Sequence, residues 1–530
     1  MHSILRRALL PLALVGTAVG CTDLTLEPKS AISSANIFND EASYRSYLAR
    51  IYGGLAVTGQ QGAAGNADIA GIDEGFSHYL RLLWQMNELP TDEAAIAWGD
   101  GPLQELNTQI WTSTNSFLVA MYYRVFFQVG LANDFLRETT DEKLASRNAS
   151  QATRDAVKRY RAEARFLRAL SYWHGLDLFG AIPLVRESDP IGATPPRQAT
   201  AQEVFDYIVA ELQAIRGDLP AANAGVNANQ ADQGAVAMLL AKVYLQAGVY
   251  TGTPRWNDAA TEVNRVLGAS YTIDGNYRRM FSADNHTSNE LIFSVEQDGT
   301  RTQSFGGTTF LMNASVGGAI DPASQGIGGG WWGLRLKPEM LAFWPGDNWG
   351  TTSTDVRSRH FFSQGQTRTM NSLTEFSNGI LNPKYINRTS TGQPGSNSGH
   401  ADIDYPMFRL GDAYLMYAEL ALRGATGTNR GQALTYVNAL RQRAYGNTNG
   451  NITDAQLTLD FILDERAREL NWEGHRRMDL IRFGRFTTQG VWAWKGNVLA
   501  GRTTEAFRNL YPKPASELSA NPNLTQNTGY

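Results

Sequence analysis

The stretch RAEARFLRALSYWHGLDLFG, residues 161–180, carries the pattern that decides the fold. Ala162, Phe166, Ala169 and Trp173 recur at steps of four, three and four residues, which places them on one face of an α-helix. Small residues that alternate with large ones let a second helix approach closely, because its side chains fill the space above the small residues. The stretch therefore predicts a helix that packs pairwise against a neighbour.

The same alternation returns in two later segments. Residues 256–267 follow the first of them after a turn rich in Thr, Gly and Pro, and are predicted to form its antiparallel partner helix. The irregular spacing between copies is typical of degenerate tetratricopeptide-type repeats. We therefore predict an all-α protein of tetratricopeptide-like helix pairs stacked in a superhelix. The two segments contain Ala237, Ala241, Tyr244 and Gly248, and Ala433, Val437, Leu440 and Ala444.

The middle of the chain has a different composition. Residues 269–404 are rich in Gly, Thr, Ser and Asn, so we predict a loop-rich insertion between helical parts at about 41–268 and 405–530, all in a single domain. Within the insertion, residues 291–296 are predicted to form a short strand and 326–333 to hold no regular structure. Helices are expected to resume at Tyr405, and Thr453 with Gln456 predicts a capping box for a helix through Leu470. So long an irregular segment usually carries function.

The N-terminus has the features of a secretion signal. Arg6 and Arg7 precede an apolar stretch at 8–19 that is too short to span a bilayer. Residues 18–21, AVGC, resemble a bacterial lipobox, so Cys21 is the expected lipidation site, with 1–20 removed and 21–40 serving as lipidated N-terminus and spacer. Thr22, where an aspartate would retain a lipoprotein in the inner membrane, fits export to the outer membrane and the cell surface. The alternative is an ordinary signal peptide with Cys21 as a stray thiol.

Composition argues against several classes of function. With 47 basic and 51 acidic residues the chain has no excess of positive charge, so nucleic acid is not an expected partner. One cysteine and seven dispersed histidines give no metal-binding spacing, and we predict no metal site. The glycines at 328, 330 and 333 match a dinucleotide fingerprint in spacing but follow no hydrophobic strand, so no cofactor is predicted.

Four blocks stand in fixed order along the chain: EARFLRA at 163–169 with FG at 179–180 and PL at 183–184; YPMFRLGD at 405–412 with YAE at 417–419; DERAREL at 464–470 with EGHRRMDL at 473–480; and YPKP at 511–514 with EL at 517–518, NP at 521–522 and QNTGY at 526–530. These blocks resemble the hallmarks of the SusD/RagB family of outer-membrane nutrient-binding lipoproteins. The stretch from Ile72 to Asp100 resembles the starch-type branch of that family. The resemblance implies a surface protein that captures an oligosaccharide, with α-glucan suggested, and delivers it as a lid to a SusC-like TonB-dependent transporter.

The charged residues of the third block are interpreted as ion pairs. Glu465 with Arg468, and Arg466 with Glu469, lie three residues apart on one predicted helix and can pair across a turn. An arginine beside each glutamate would keep that carboxylate ionised and occupied, so we predict a binding protein and not an enzyme. A glycoside hydrolase with two carboxylates across a cleft, a peptide-binding member of the family and a protein-interaction scaffold remain alternatives.

A carbohydrate site needs flat aromatic rings for the apolar faces of the sugar and planar charged groups for its hydroxyl rim. By order and neighbourhood, the family resemblance implies ligand contacts from Asp73, Arg81 and Trp98, with Asp100 beside Trp98. The alternative for Trp98 is a wedge packed between helices.

A second aromatic pair is predicted from the residues themselves. Trp331 and Trp332 follow three glycines, where a flexible backbone would let the rings lie on the surface. Phe305 and Trp349, in the same loop-rich region, are further candidates for the lining of the site.

Overall fold

The computed structural model describes residues 37–530 apart from 39, 60, 61, 64, 66, 193 and 224–227. The predicted signal, the lipidation site Cys21 and most of the spacer lie outside the described residues. Helices and strands, with short 3-10 turns between some of them, follow in this order: α1 Glu41–Ala56, α2 Tyr79–Glu88, β1 Ala94–Ile96, α3 Gly101–Thr108, α4 Ser116–Glu138, α5 Asp141–Ser146, α6 Gln151–Phe179, α7 Ala201–Ile215, α8 Gln233–Leu245, α9 Ala247–Thr251, α10 Trp256–Leu267, β2 Leu291–Val295, α11 Gly307–Ala314, β3 Leu334–Leu336, α12 Pro338–Leu341, β4 Tyr405–Arg409, α13 Leu410–Leu422, α14 Arg430–Tyr445, α15 Leu459–Glu469, α16 Arg476–Arg482 and α17 Ala515–Ala520.

The longer helices form a stack in which each contacts the next. Helix α4 packs on α6, α6 on α7, α8 on α10, α10 on α13, and α13 on α14. The predicted faces of α6 and α14 are buried, and α10 has the predicted bounds. The all-α, tetratricopeptide-like architecture is therefore confirmed. Over the described residues, no helix has both the length and the apolar character needed to cross a membrane.

Two short antiparallel pairs of strands organise the loop-rich region. Strand β2 pairs with β4, with Leu291 opposite Arg409 and Val295 opposite Tyr405. Strand β1 pairs with β3, with Ala94 opposite Leu336 and Ile96 opposite Leu334. The chain therefore leaves the helical stack at β2 and returns to it at the neighbouring strand β4, which holds both ends of the insertion together.

Two predicted boundaries in the C-terminal part are wrong. Residues Tyr405–Arg409 form a strand, and the helix begins only at Leu410. Pro406 disfavours helical backbone in the residue before it, which explains the extended start. The Thr453–Gln456 capping box exists, but it caps a 3-10 turn, while Thr458 caps α15.

Buried ion pairs join the C-terminal helices to β4. Arg409, which is 1% exposed, donates from Nε to Glu473 at 2.6 Å and from Nη1 to Glu469 at 2.7 Å and to Glu290 at 2.9 Å. Glu469 also accepts from Arg357 at 3.3 Å. Several charges buried together need several partners each, because an unpaired charge without water is costly.

The predicted pairing within α15 is half correct. Arg468 donates to Glu465 at 2.7 Å, as expected. Arg466 does not pair with Glu469; it donates to Asp412 at 2.8 Å and to Asp479 at 2.7 Å. Local spacing failed here because both side chains are buried and pair with other elements, Arg466 with α13 and α16 and Glu469 with Arg409 of β4.

Replacement of Arg409 by alanine is expected to lower the free energy of unfolding by about 3–5 kcal/mol, because it leaves three buried carboxylates without their shared partner. The matched control is Arg430→Ala, which breaks the exposed Arg430–Asp454 pair and should cost less than about 1 kcal/mol. Urea unfolding followed by circular dichroism measures both. Equal losses in the two variants would contradict the central role of Arg409.

Stability is expected to fall on acidification because of Glu469. Burial alone would raise the pKa of this carboxyl, but the guanidinium groups of Arg443, Arg409 and Arg357 hold it at about 2, below the usual 4.5. A depressed folded-state pKa stabilises the fold above pH 4.5, and that stabilisation, on the order of 3 kcal/mol, is lost as the pH falls towards 2.

The check is urea unfolding of the wild type, Glu469→Gln and the exposed control Asp206→Asn at pH 7, 5 and 3. The gap between wild type and Glu469→Gln should narrow from pH 5 to pH 3, while Asp206→Asn should follow the wild type. A gap that stays constant with pH would show that the pKa of Glu469 is the same in the folded and the unfolded protein, which contradicts the prediction.

Candidate functional site

The pairing of β1 with β3 brings Trp98 beside Trp331. Trp98 follows the end of β1 and Trp331 precedes the start of β3, and the ends of antiparallel strands meet. The backbone N–H of Ala97 donates to Gly333 O at 2.8 Å, which extends the pairing to the tryptophans. The indole N–H of Trp98 then donates to Trp331 O at 3.0 Å, and the ring centroids are 6.5 Å apart.

Glycine is required where the Trp98 ring crosses the chain. A Cβ at Gly333 would lie 2.9 Å from the Trp98 ring, closer than side chains tolerate. The position of the ring therefore depends on this glycine, which also ties β3 to β1.

Phe305 extends this pair into a cluster. Its ring centroid lies 6.1 Å from that of Trp331 and 5.4 Å from that of His400. Phe305 is 38% exposed, whereas Trp98 and Trp331 are half-buried. These rings, named here the aromatic cluster and defined by Trp98, Trp331 and Phe305, present an apolar surface to solvent. The sequence suggested Phe305 only through its place in the loop-rich region.

Arg81 lies beneath the aromatic cluster and not on its surface. Its side chain is 4% exposed, and its guanidinium carbon is 4.2 Å from the ring centroid of Phe76 and 5.3 Å from that of Trp98. Nη1 donates to the carbonyl oxygens of Gly75 and Phe305, each at 3.1 Å. Burial lowers the pKa of Arg81 to about 9, opposed by nearby carboxylates, so the group is charged at neutral pH. The Arg81 guanidinium therefore holds the rings of Phe76 and Trp98 and the carbonyl group of Phe305 in place from beneath.

Two exposed carboxylates lie near Arg81. Asp73 accepts from the backbone N–H of Gly75 at 3.0 Å. Asp100 precedes α3 but makes no side-chain capping bond to it, so its carboxylate is not occupied by the helix. Asp73 and Asp100 both stabilise the charged form of Arg81. The structure thus brings Asp73, Arg81, Trp98, Asp100 and Trp331 into one region.

Sequence reasoning missed Glu74, between Asp73 and Gly75. Its side chain is buried, and neither carboxylate oxygen has a hydrogen-bond partner. Burial and, to a smaller extent, the charge of Asp73 raise the pKa of Glu74 to about 7, with Arg124 and Arg81 opposing the shift. The only signal in the sequence was the position of Glu74 next to a predicted site residue.

Trp332 and Trp349 stand apart from the aromatic cluster. The Trp332 ring is 53% exposed and packs at 5.2 Å on Phe376. Trp349 is half-buried, with the guanidinium of Arg368 5.6 Å from its ring. The two adjacent tryptophans at 331–332 therefore contact different rings, Trp98 and Phe376.

A cavity of about 890 Å³ lies elsewhere, between α4 and residues 184–199. Asn133 of α4 lines this cavity. The aromatic cluster lies near the start of the same helix, where Phe76 packs on Phe117. Sixteen residues of helix separate these points by about 24 Å. No aromatic side chain lines the cavity among the residues that the structure describes, so the aromatic cluster is the better candidate for a site that stacks on sugar rings.

Solved structures share this fold. A SusD homologue from Bacteroides thetaiotaomicron has a TM-score of 0.72 at 18% identity, and covers 94% of this chain and 98% of its own. Surface glycan-binding protein A from the same organism, solved with laminarihexaose, has a TM-score of 0.68 at 19% identity, over 92% of this chain and 99% of its own.

Sequence comparison is more specific. The family model described as the SusD family matches residues 340–530, and the one described as starch-binding, associating with the outer membrane, matches residues 84–245. The starch-binding protein SusD of Bacteroides thetaiotaomicron is 32% identical over 526 residues, which cover 90% of this chain and 91% of that protein. Identity at this level over nearly the whole length means that the chain belongs to the SusD family.

Proposed function

We propose that this protein is a lipid-anchored glycan-binding protein of the cell surface that captures α-glucan oligosaccharides and delivers them, as a lid, to a SusC-like TonB-dependent transporter. The observation that carries the proposal is the aromatic cluster, which offers rings of Trp98, Trp331 and Phe305 to solvent on a base fixed by β1 and β3. The choice of α-glucan is supported by the relative named as starch-binding, and the outer membrane by the description of the family model for residues 84–245.

The residues of the site take different roles in this proposal. The rings of the aromatic cluster stack on the apolar faces of successive sugar units. Asp73 and Asp100 accept hydrogen bonds from sugar hydroxyls, and bonds to a charged acceptor are stronger than neutral ones. Because the Arg81 side chain is buried, we assign it to positioning the Trp98 ring and the Phe305 carbonyl from below.

We further propose that the protein binds its ligand without cleaving it. The relatives are named as binding proteins, and the buried carboxylates Glu465 and Glu469 are occupied by arginines. A carboxylate held ionised by a guanidinium cannot act as a general acid at neutral pH.

Replacement of Trp331 by alanine in the purified mature chain is expected to weaken maltoheptaose binding about tenfold, because one stacked ring contributes roughly 1–1.5 kcal/mol. Trp98→Ala should lose as much or more, since it removes a ring and the hydrogen bond to Trp331 O. Isothermal titration calorimetry measures the affinities, and a reducing-sugar assay on the same mixtures should detect no cleavage.

The matched control is Ile191→Ala, which removes a 78% exposed apolar side chain from the cavity between α4 and residues 184–199. Its affinity should equal that of the wild type. Unchanged affinity in both tryptophan variants, or release of reducing sugar, would refute the proposed function.

The proposed anchor predicts that Cys21→Ser moves the protein from the membrane fraction to the soluble fraction of its native cells. An acylated cysteine holds the mature chain because each buried methylene contributes about 0.8 kcal/mol, and the serine variant has no acyl chains. Fractionation and immunoblotting measure the shift. A serine variant that stays in the membrane fraction would argue for a different attachment. The proposed partner is tested separately, by copurification of a TonB-dependent barrel with the wild type.

A further inference from the structure

Trp332 presents the most exposed aromatic ring of the loop-rich region. Its side chain is 53% exposed, and its ring leans against the half-buried ring of Phe376 at 5.2 Å with an interplanar angle of 47°. Gly317 lies against both rings: a Cβ there would be 2.8 Å from Trp332 and 2.9 Å from Phe376. The two rings thus meet over a position where no other residue fits, and form a shelf defined here by Trp332 and Phe376.

Hydrogen bonds of the neighbouring backbone hold Trp332 in a conformation that is unfavourable for tryptophan. Trp332 has a φ of +55°, in the left-handed region that is unfavourable for a bulky side chain. Three successive N–H groups fix the turn: Trp331 donates to Asn313 O at 2.8 Å, Trp332 to Val316 O at 3.1 Å and Gly333 to Ala314 O at 2.9 Å. A strained conformation that keeps a large apolar ring in water points to an occupant of that ring.

The surface around the shelf suits a sugar ring. Gly318 and Ala319, which follow Gly317, are exposed and have little or no side chain, so a flat ligand can approach. The amide nitrogen of Gln366 lies 3.2 Å from the point where a Cβ of Gly318 would be, which puts a hydrogen-bonding group beside the rings. A flat aromatic face with a polar group at its edge matches the apolar face and hydroxyl rim of a pyranose.

We propose that the shelf of Trp332 and Phe376 is a second stacking subsite, separate from the aromatic cluster, that takes a further sugar unit of the same oligosaccharide. The inference rests on the proposed function. Trp331 and Trp332 are adjacent, with Cα atoms about 3.8 Å apart, although their rings contact different partners. In this proposal one oligosaccharide extends from the aromatic cluster to the shelf. A ligand that engages both places gains from the second contact without a second loss of translational freedom. The shelf therefore selects for longer chains.

The test compares maltoheptaose with maltotriose by calorimetry in wild type, Trp332→Leu, Phe376→Ala and Trp331→Ala, with Ile191→Ala as control. Trp332→Leu keeps an apolar side chain but removes the flat face, and circular dichroism checks that each variant is folded. We expect Trp332→Leu and Phe376→Ala to weaken maltoheptaose binding about three- to tenfold and to leave maltotriose binding unchanged. Trp331→Ala should weaken the binding of both sugars.

Three results would overturn the inference. If Trp332→Leu binds maltoheptaose as the wild type does while Trp331→Ala does not, the shelf is no subsite and the proposed function stands. If Trp332→Leu weakens both sugars equally, the shelf belongs to the aromatic cluster. If the wild type fails to bind maltoheptaose, or if Trp331→Ala and Trp98→Ala both leave its affinity unchanged, the proposed function itself fails, and the inference with it.

Discussion

The buried charges around Arg409 connect the helical stack with both strand pairs, β2–β4 and β1–β3. Arg409 ends β4, and its partners Glu469 and Glu473 belong to α15 and the segment after it. That same segment reaches β1: Glu93 accepts from the N–H of Trp472 at 3.1 Å, and Arg476 donates to Asp92 at 2.7 Å. Since the cost of an unpaired buried charge is large, these elements keep one relative arrangement. The positions of β1 and β3, which carry the aromatic cluster, therefore depend on the third sequence block, residues 464–480.

This linkage explains how the proposed binding surface can be built on loops. Strands β1 and β3 have three residues each, too few to be stable alone. Lys337, directly after β3, donates to Leu89 O at 3.1 Å and to Thr91 O at 2.7 Å, which fastens β3 to the turn before β1. The rings then lie on a short but rigid support, and a ligand does not have to order them on binding.

Much of the fold could be predicted because helical periodicity is a local signal. The face of Ala162, Phe166 and Trp173 is visible within a few turns and is buried as expected. The pairing of β1 with β3 was not predictable in this way, because a run of three apolar residues has no readable period and its partner lies far along the chain. That distant packing determines the burial of Arg81, the lack of a hydrogen-bond partner for the Glu74 carboxylate and the contact of Trp332 with Phe376. No local sequence pattern predicts these three features.

The glycines of the loop-rich region have a role opposite to the one expected from sequence. Flexibility was expected to let Trp331 and Trp332 lie freely on the surface. Instead, a Cβ at Gly330 would lie 2.2 Å from Val316 O, and one at Gly326 would lie 2.1 Å from Asn387 O, so at these positions the chain is packed backbone to backbone. Glycine permits that approach because it has no side chain. This close packing fixes the backbone that carries the rings, and rigidity of this kind, not freedom, is what the proposed stacking surface for a flat ligand requires.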